Sequence, residues 1–345
     1  MAQAIISRKG GGGGGGGYAT ITFDNVTSSD GILHLQATDL SVGRSYLAAT
    51  TVGDYALFGG GYGSSVFSTV DAYNTSLTRS TPTALSTARY KLAATTVGGY
   101  ALFGGGKNNA YVGSSTVDAY NTSLTRSTPT ALSVEFDGLS ATTVGNYALF
   151  GGGYYNTTSY STVDAYNTSL TRSTPTALSV ARHQLAATTA GEYALFGGGD
   201  TGSFSSTVDA YNTSLTRSTP TALSVARRFL AATTVGGYAL FGGGEGAPLV
   251  DVYNTSLTHS TSTALSVARR DLAATTVGNY ALFGGGYSSI SLVDAYFLSK
   301  KIQLYPDTKY KFNDMADEAT SQIFQEIEVA TPINGYIKIK DATIN

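Results

Sequence analysis

Few residues in this chain could do chemistry of their own. The histidines are His34, His183 and His259, on three separate segments, and there is no cysteine. Their spacing suits no metal site, and without a thiol there is neither a thiolate nucleophile nor a disulfide. Each histidine reads as a solvated side chain. Six aspartates recur at one repeated position, Asp71, Asp118, Asp164, Asp209, Asp251 and Asp294. They could ring a cation, but a carboxylate repeated beside a repeated arginine reads better as structural pairing. Triple glycines could cradle phosphate only with a helix or lysine behind them; lacking both, they read as strand ends in close packing. The expectation is no catalytic residue, no metal, no cofactor and no enzyme activity.

The elements behind these residues are set by an internal repeat. The phrase YALFGGG begins at Tyr55, Tyr100, Tyr147, Tyr193, Tyr238 and Tyr280, so successive copies lie 42 to 47 residues apart. Asp-Ala-Tyr follows each copy, as Asp-Val-Tyr at Asp251. NTSLTRSTPTALS then begins at Asn74, Asn121, Asn167 and Asn212, slightly altered at Asn254. A period of this length suits a four-stranded propeller blade. Leu-Ala-Ala-Thr-Thr-Val predicts an innermost strand whose small side chains tolerate crowding at an axis. A glycine-led pair makes a tight hairpin into Tyr-Ala-Leu-Phe. Val-Asp-Ala-Tyr and Leu-Thr-Arg-Ser-Thr-Pro-Thr supply the third and fourth strands. Nothing shows a helical period.

A strand ending in glycines, an Asp-x-Tyr strand about a dozen residues on, and an arginine before the next first strand resemble the kelch repeat family. That arginine is Arg44, Arg89, Arg182, Arg227 and Arg269, with Phe136 in its place in the third copy. The outer-strand tryptophan common in the family is missing. The resemblance covers roughly residues 32–296 and implies an all-β, six-bladed kelch-type propeller. Ile32 to Arg44 align with the outer-strand phrase, which is absent after the sixth Asp-Ala-Tyr. The N-terminal segment is therefore expected to close the ring as the outer strand of blade six. Copper oxidases on kelch-like propellers need a cysteine that is absent here, and the tryptophan-bearing Asp-box of sialidases is missing too.

The six copies differ in two places. One is the stretch after the triple glycine, of 8, 10, 9, 8, 5 and 6 residues. The other is the pair after the arginine: Ser45-Tyr46, Tyr90-Lys91, Asp137-Gly138, His183-Gln184, Arg228-Phe229 and Arg270-Asp271. In an antiparallel four-stranded blade both lie on one face, and the constant hairpins lie on the other. The candidate ligand-binding residues are therefore Tyr46, Tyr62, Phe67, Tyr90, Lys107, Asn108, Tyr111, Phe136, Tyr154, Tyr155 and Tyr160. Further round the face they are His183, Asp200, Phe204, Arg228, Phe229, Glu245, Arg270, Asp271 and Tyr287. Tyrosine among Ser, Gly and Asn is the mixture of adaptable paratopes, and aromatic faces beside hydroxyls and amides suit sugars. Exposed loops also drift without function.

Charged residues are 13% of the chain and the net charge is −2, which gives no basic field for nucleic acid. No apolar run is long enough for a membrane span, and the first residues lack the apolar core of a signal peptide. Residues 1–17 read as an anchor and an eight-glycine tether (Gly10 to Gly17), 18–296 as the propeller, and 297–345 as a small β-rich C-terminal module. This layout resembles phage or prophage tail-fibre and receptor-binding proteins. The resemblance implies a virion or extracellular particle, and a bacterial surface glycan or protein receptor as partner. It also implies tail proteins bound through the N-terminal segment, and a homo-oligomer. The alternative expectation is a cytoplasmic kelch scaffold that binds another protein.

Overall fold

A computed structural model describes residues 38–297 except 246 and 288–291, together with short strands on either side. The chain divides into two compact units: Ala37–Phe297, and Met1–Gln36 with Leu298–Asn345. Among the described residues every regular element is a strand. In the second unit Gln3–Ser7 pairs antiparallel with Tyr18–Thr22, Ser7 opposite Tyr18, and Thr20 and Ile21 pair onward with Asn313 and Phe312. Lys300–Ile302 pairs with Ile327–Val329, and Lys309–Tyr310 with Ala319–Thr320. The expected N-terminal anchor and C-terminal module thus fall within one unit. The glycine run itself lies outside the described residues.

Ala37–Phe297 is a six-bladed β-propeller. Blades one to five are antiparallel sheets of four strands taken in chain order, and blade six has three among the described residues. Blade four is typical: Ala186–Ala190, Tyr193–Gly197, Val208–Asn212 and Arg217–Ser218. The outer strand is shorter than its repeat phrase suggested, just Arg-Ser in the first four blades. Proline explains this, because it brings no N–H to the ladder. Pro82, Pro129, Pro175 and Pro220 stand two residues past each Arg-Ser. Blade five carries Ser262 at that position, and there the outer strand runs on from His259 to Ser262, opposite Val250.

The core is a set of seams between neighbouring blades. First strands lie side by side around the axis. At one seam Val52, Leu57, Val70 and Ala72 of blade one meet Ala101, Phe103 and Tyr120 of blade two. The same set recurs at the next four seams. Each phenylalanine lies against the glycine ending the previous blade's second strand. A Cβ on Gly104 would stand 2.7 Å from Phe150, and one on Gly197 2.7 Å from Phe241. No side chain fits there, which explains why that residue is glycine in blades one to five. Threonines tie the inner strands: the Thr95 and Thr143 hydroxyls are 2.8 Å apart, as are those of Thr188 and Thr234.

Between blades six and one, none of these contacts occurs among the described residues. Val277 is 48% exposed and Val293 61%, whereas Val52 and Val70 of blade one are 1% exposed. Residues 32–37, the expected closing strand, lie outside the described residues. The end of that phrase is in place, however. Tyr73 donates to the Thr38 carbonyl at 2.7 Å, as Tyr120 does to Thr83 and Tyr166 to Thr130. The Ser41 amide donates to Asp71 as the Ser86 amide does to Asp118.

The repeated arginine and aspartate form buried ion pairs, as their spacing suggested. Arg44–Asp71, Arg89–Asp118, Arg182–Asp209, Arg227–Asp251 and Arg269–Asp294 lie at 2.6 to 2.8 Å. Blade three lacks the arginine. Asp164 is fully buried, held by the Ser133 amide (3.0 Å) and hydroxyl (2.9 Å), with Arg172 at 3.4 Å. Burial pushes its carboxyl above the ordinary range, against the pull of those groups.

Candidate functional site

Backbone hydrogen bonds join the two variable patches within each blade. The residue after the arginine pairs with the residue after the triple glycine: Ser45 with Tyr62, Tyr90 with Lys107, Asp137 with Tyr154, and His183 with Asp200. In blades five and six the Glu245 amide donates to the Arg228 carbonyl and the Tyr287 amide to that of Arg270, both at 2.9 Å. These twelve residues make an outer ring. An inner ring lies one residue further along the chain, at Tyr46, Lys91, Gly138, Gln184, Phe229 and Asp271. In five of the six the N–H donates to the carbonyl of its counterpart one blade back, from Lys91 to Tyr46 (3.0 Å) through to Asp271 to Phe229 (3.0 Å). All six have positive φ, 53° to 63°. That region costs a non-glycine residue about 1–2 kcal/mol, so the inter-blade bonds must hold it.

Both rings are built from backbone atoms, which leaves their side chains free to differ. The opposite face is constant for a packing reason. Gly98 of its first hairpin packs against Thr168 of the next blade's Asn-Thr-Ser turn, where a Cβ would meet the threonine methyl at 3.1 Å, and Gly145 meets Thr213 in the same way at 3.0 Å. In the Thr168 turn Asn167 Oδ1 accepts the Ser169 and Thr171 amides. The constant face is itself exposed at Gly98, Thr122, Ser123 and Thr168, so its constancy comes from this packing and not from burial.

The candidate residues sort by burial. Tyr46, Tyr62, Asn108, Tyr111, Phe204, Asp271 and Tyr287 are exposed, Tyr111 the most at 75%. Three depart from the expectation of ligand contact. Phe136 is fully buried, filling the space the arginine takes in other blades, where a Cβ on Gly153 would sit 2.8 Å from its ring. Tyr90 is buried beneath Tyr62, ring centroids 5.4 Å apart, because its partner Lys107 and neighbour Tyr46 close over it. Asp200 is buried by its ion pair with Arg228 and by donation from the Gly202 amide. Phe67, Tyr154, Tyr155 and Tyr160 are half-buried packing residues. Tyr154 stacks on His183 at 4.5 Å, Tyr160 lies 6.1 Å from Phe136, and Tyr155 packs on the seam between blades two and three.

Two histidines are corrected as well. His183 is half-buried and bonded through Nδ1 to Ser159 at 3.0 Å, and burial depresses its pKa. His259 stands where other blades carry arginine, 2.6 Å from Asp251. His34 lies outside the described residues. Among the described residues no group of His, Asp or Glu is placed to hold a metal ion.

The face has two chemical halves. Across blades four to six, Phe204, Arg228, Phe229, Arg270 and Tyr287 alternate as a stack, guanidinium to ring centroid 4.6 to 5.7 Å. Arg228 also pairs with Asp200 and Glu245, and Arg270 with Glu245 (2.9 Å) and Asp271 (3.7 Å). Blades one and two present tyrosines. The Lys91 ammonium lies 5.4 Å from the Tyr46 ring, and Lys107 lies 5.9 Å from Tyr111 while pairing with Asp137 at 2.8 Å.

No family model matches the chain, and no curated protein does. Solved structures match in number, 597 chains in all, so the architecture is widely shared. One of them, described as "Structure of YjhT", has a TM-score of 0.59 at 13% identity. The match covers 75% of this chain and 96% of that one, and it is a likeness of fold.

Proposed function

We propose that this chain is a non-enzymatic binding protein with a kelch-type propeller, the receptor-binding component of a phage or prophage tail. Its ligand in this reading is a bacterial surface glycan held on the variable face. The observation that carries it is the pair of rings, a fixed backbone frame whose side chains differ in every blade. The exposed Tyr46, Tyr62, Tyr111 and Tyr287 offer flat apolar rings with hydroxyl edges, which suit the C–H faces and hydroxyls of sugars. Tail proteins bound through the N-terminal segment, a homo-oligomer and a place on the virion belong to the same proposal.

A second reading is a cytoplasmic scaffold that binds a protein. It is favoured by the arginine–aromatic stack of blades four to six, since arginine and aromatic residues dominate protein–protein hot spots. One experiment separates the two: binding of purified protein to a glycan array and to intact bacteria, wild type against a Tyr46→Ala, Tyr62→Ala, Tyr111→Ala variant. Saturable binding to glycan and cells, lost in the variant, supports the adhesin. An array without signal, together with one protein captured from lysate through Arg228 and Arg270, supports the scaffold.

A further inference from the structure

Thirteen lysines and arginines fall in residues 38–297, and twelve have a carboxylate within 4.0 Å. Lys91 is the exception among the described residues. It sits on the inner ring, half-buried, its ammonium over the Tyr46 ring. The next ring position is Gly138. A Cβ there would find nothing nearer than 3.8 Å, so the ring has a notch where its other members carry side chains. Beyond the notch is Gln184, whose Oε1 is buried without a hydrogen-bond partner. The one carboxylate of the inner ring, Asp271, is engaged by Arg270.

An unpaired ammonium, an open notch, an orphan amide oxygen and an exposed tyrosine face therefore adjoin at the inner ring. We propose that they form a subsite for a sugar bearing an anionic group, carboxylate or phosphate. The anion lies on Lys91, a hydroxyl donates to Gln184 Oε1, and the ring C–H face rests on Tyr46. Lys91 has no carboxylate partner among the described residues, and the ligand supplies the counter-charge. Arg228 and Arg270 are already neutralised by Asp200, Glu245 and Asp271, so they compete poorly for an anion. This inference rests on the glycan-binding reading and specifies the ligand class for it.

The test uses the full chain and immobilised oligosaccharides in matched pairs, a hexose oligomer against the same oligomer oxidised to hexuronic acid. A glycerol-phosphate polymer serves as a third probe. A charge-assisted bond at Lys91 should give roughly tenfold or greater preference for an acidic probe. Lys91→Gln should erase that preference with melting unchanged, and Lys91→Arg should retain it. Gly138→Asn, which tolerates positive φ, should fill the notch and weaken binding of the acidic probe. Preference for the uronic acid identifies a carboxylate ligand, and preference for the polymer a phosphate one. Equal binding of neutral and acidic oligomers, or a preference that survives Lys91→Gln, overturns the subsite and leaves the glycan reading standing. Binding of no saccharide at all overturns both.

Discussion

Asp251 and Asp164 occupy the same place in different blades, yet their loss should have very unequal consequences. Asp251 holds the buried Arg227 at 2.6 Å and His259 at 2.6 Å. In Asp251→Asn the guanidinium keeps only carbonyl partners, Phe241 at 3.0 Å and Val225 at 3.3 Å. A buried charge stripped of its partner costs about 3–5 kcal/mol. At roughly 2–4 °C per kcal/mol for a domain of about this size, melting should fall by roughly 6–20 °C. Asp164 has no buried arginine, and an asparagine oxygen there can still accept from Ser133. Asp164→Asn removes an under-compensated charge and should shift stability by less than about 1 kcal/mol at pH 7.

The pH dependence carries a second contrast. Burial raises the Asp251 carboxyl, but Ser224, His259 and Arg227 outweigh it and hold its pKa below the ordinary value. Its stabilisation is present above the unfolded pKa and fades as pH falls through the lower folded one. Asp164 is shifted upward, so its contribution is fullest in acid and is lost as pH rises through its folded pKa. Melting followed by far-ultraviolet circular dichroism from about pH 2 to about pH 8 reads both, each variant against wild type. Asp164→Asn melting as low as Asp251→Asn at pH 7 would refute the claim that the arginine decides the role of the aspartate.

Other outcomes follow from the same contacts. Gly104→Ala puts a Cβ 2.7 Å from Phe150 and should cost about 1–3 kcal/mol, visible as a lower midpoint in urea. Phe136→Ala should cost about 3–5 kcal/mol by emptying a fully buried site, whereas Tyr111→Ala should stay within about 0.5 kcal/mol; one denaturation series checks both. Burial depresses the His183 pKa, so its contribution is present above the unfolded value and is lost as pH falls through the folded one. His183→Asn should flatten that acid limb of the melting profile.

Much of the propeller could be read from spacing alone. YALFGGG and Asp-Ala-Tyr located second and third strands because each repeats with its partner in register. Burial on the variable face could not be read in this way. Phe136 looked like a variable aromatic, and only the path of the linker shows it filling an arginine's space. Tyr90 differs from its counterparts and so looked available, yet the lysine that pairs with it lies seventeen positions away in the chain. Constancy of the Asn-Thr-Ser turn was also ambiguous in sequence. The close approach of Gly98 to Thr168 gives it a steric cause. Lys91 and Gln184 stood in the variable pairs without being singled out, because an unpaired charge is a property of its surroundings.

The positive-φ positions have a consequence for how such a surface changes over time. Tyrosine, lysine, glycine, glutamine, phenylalanine and aspartate all occupy the same backbone shape there, at φ 53° to 63°. Glycine adopts that shape freely, and the frame holds it for the five residues that pay for it. The six positions then behave as interchangeable sockets. A dipeptide moved from one blade to another by recombination finds the same backbone frame there. Near-identical repeats suit such exchange, so the repetitiveness that builds the fold is also a means of rewriting what the fold displays.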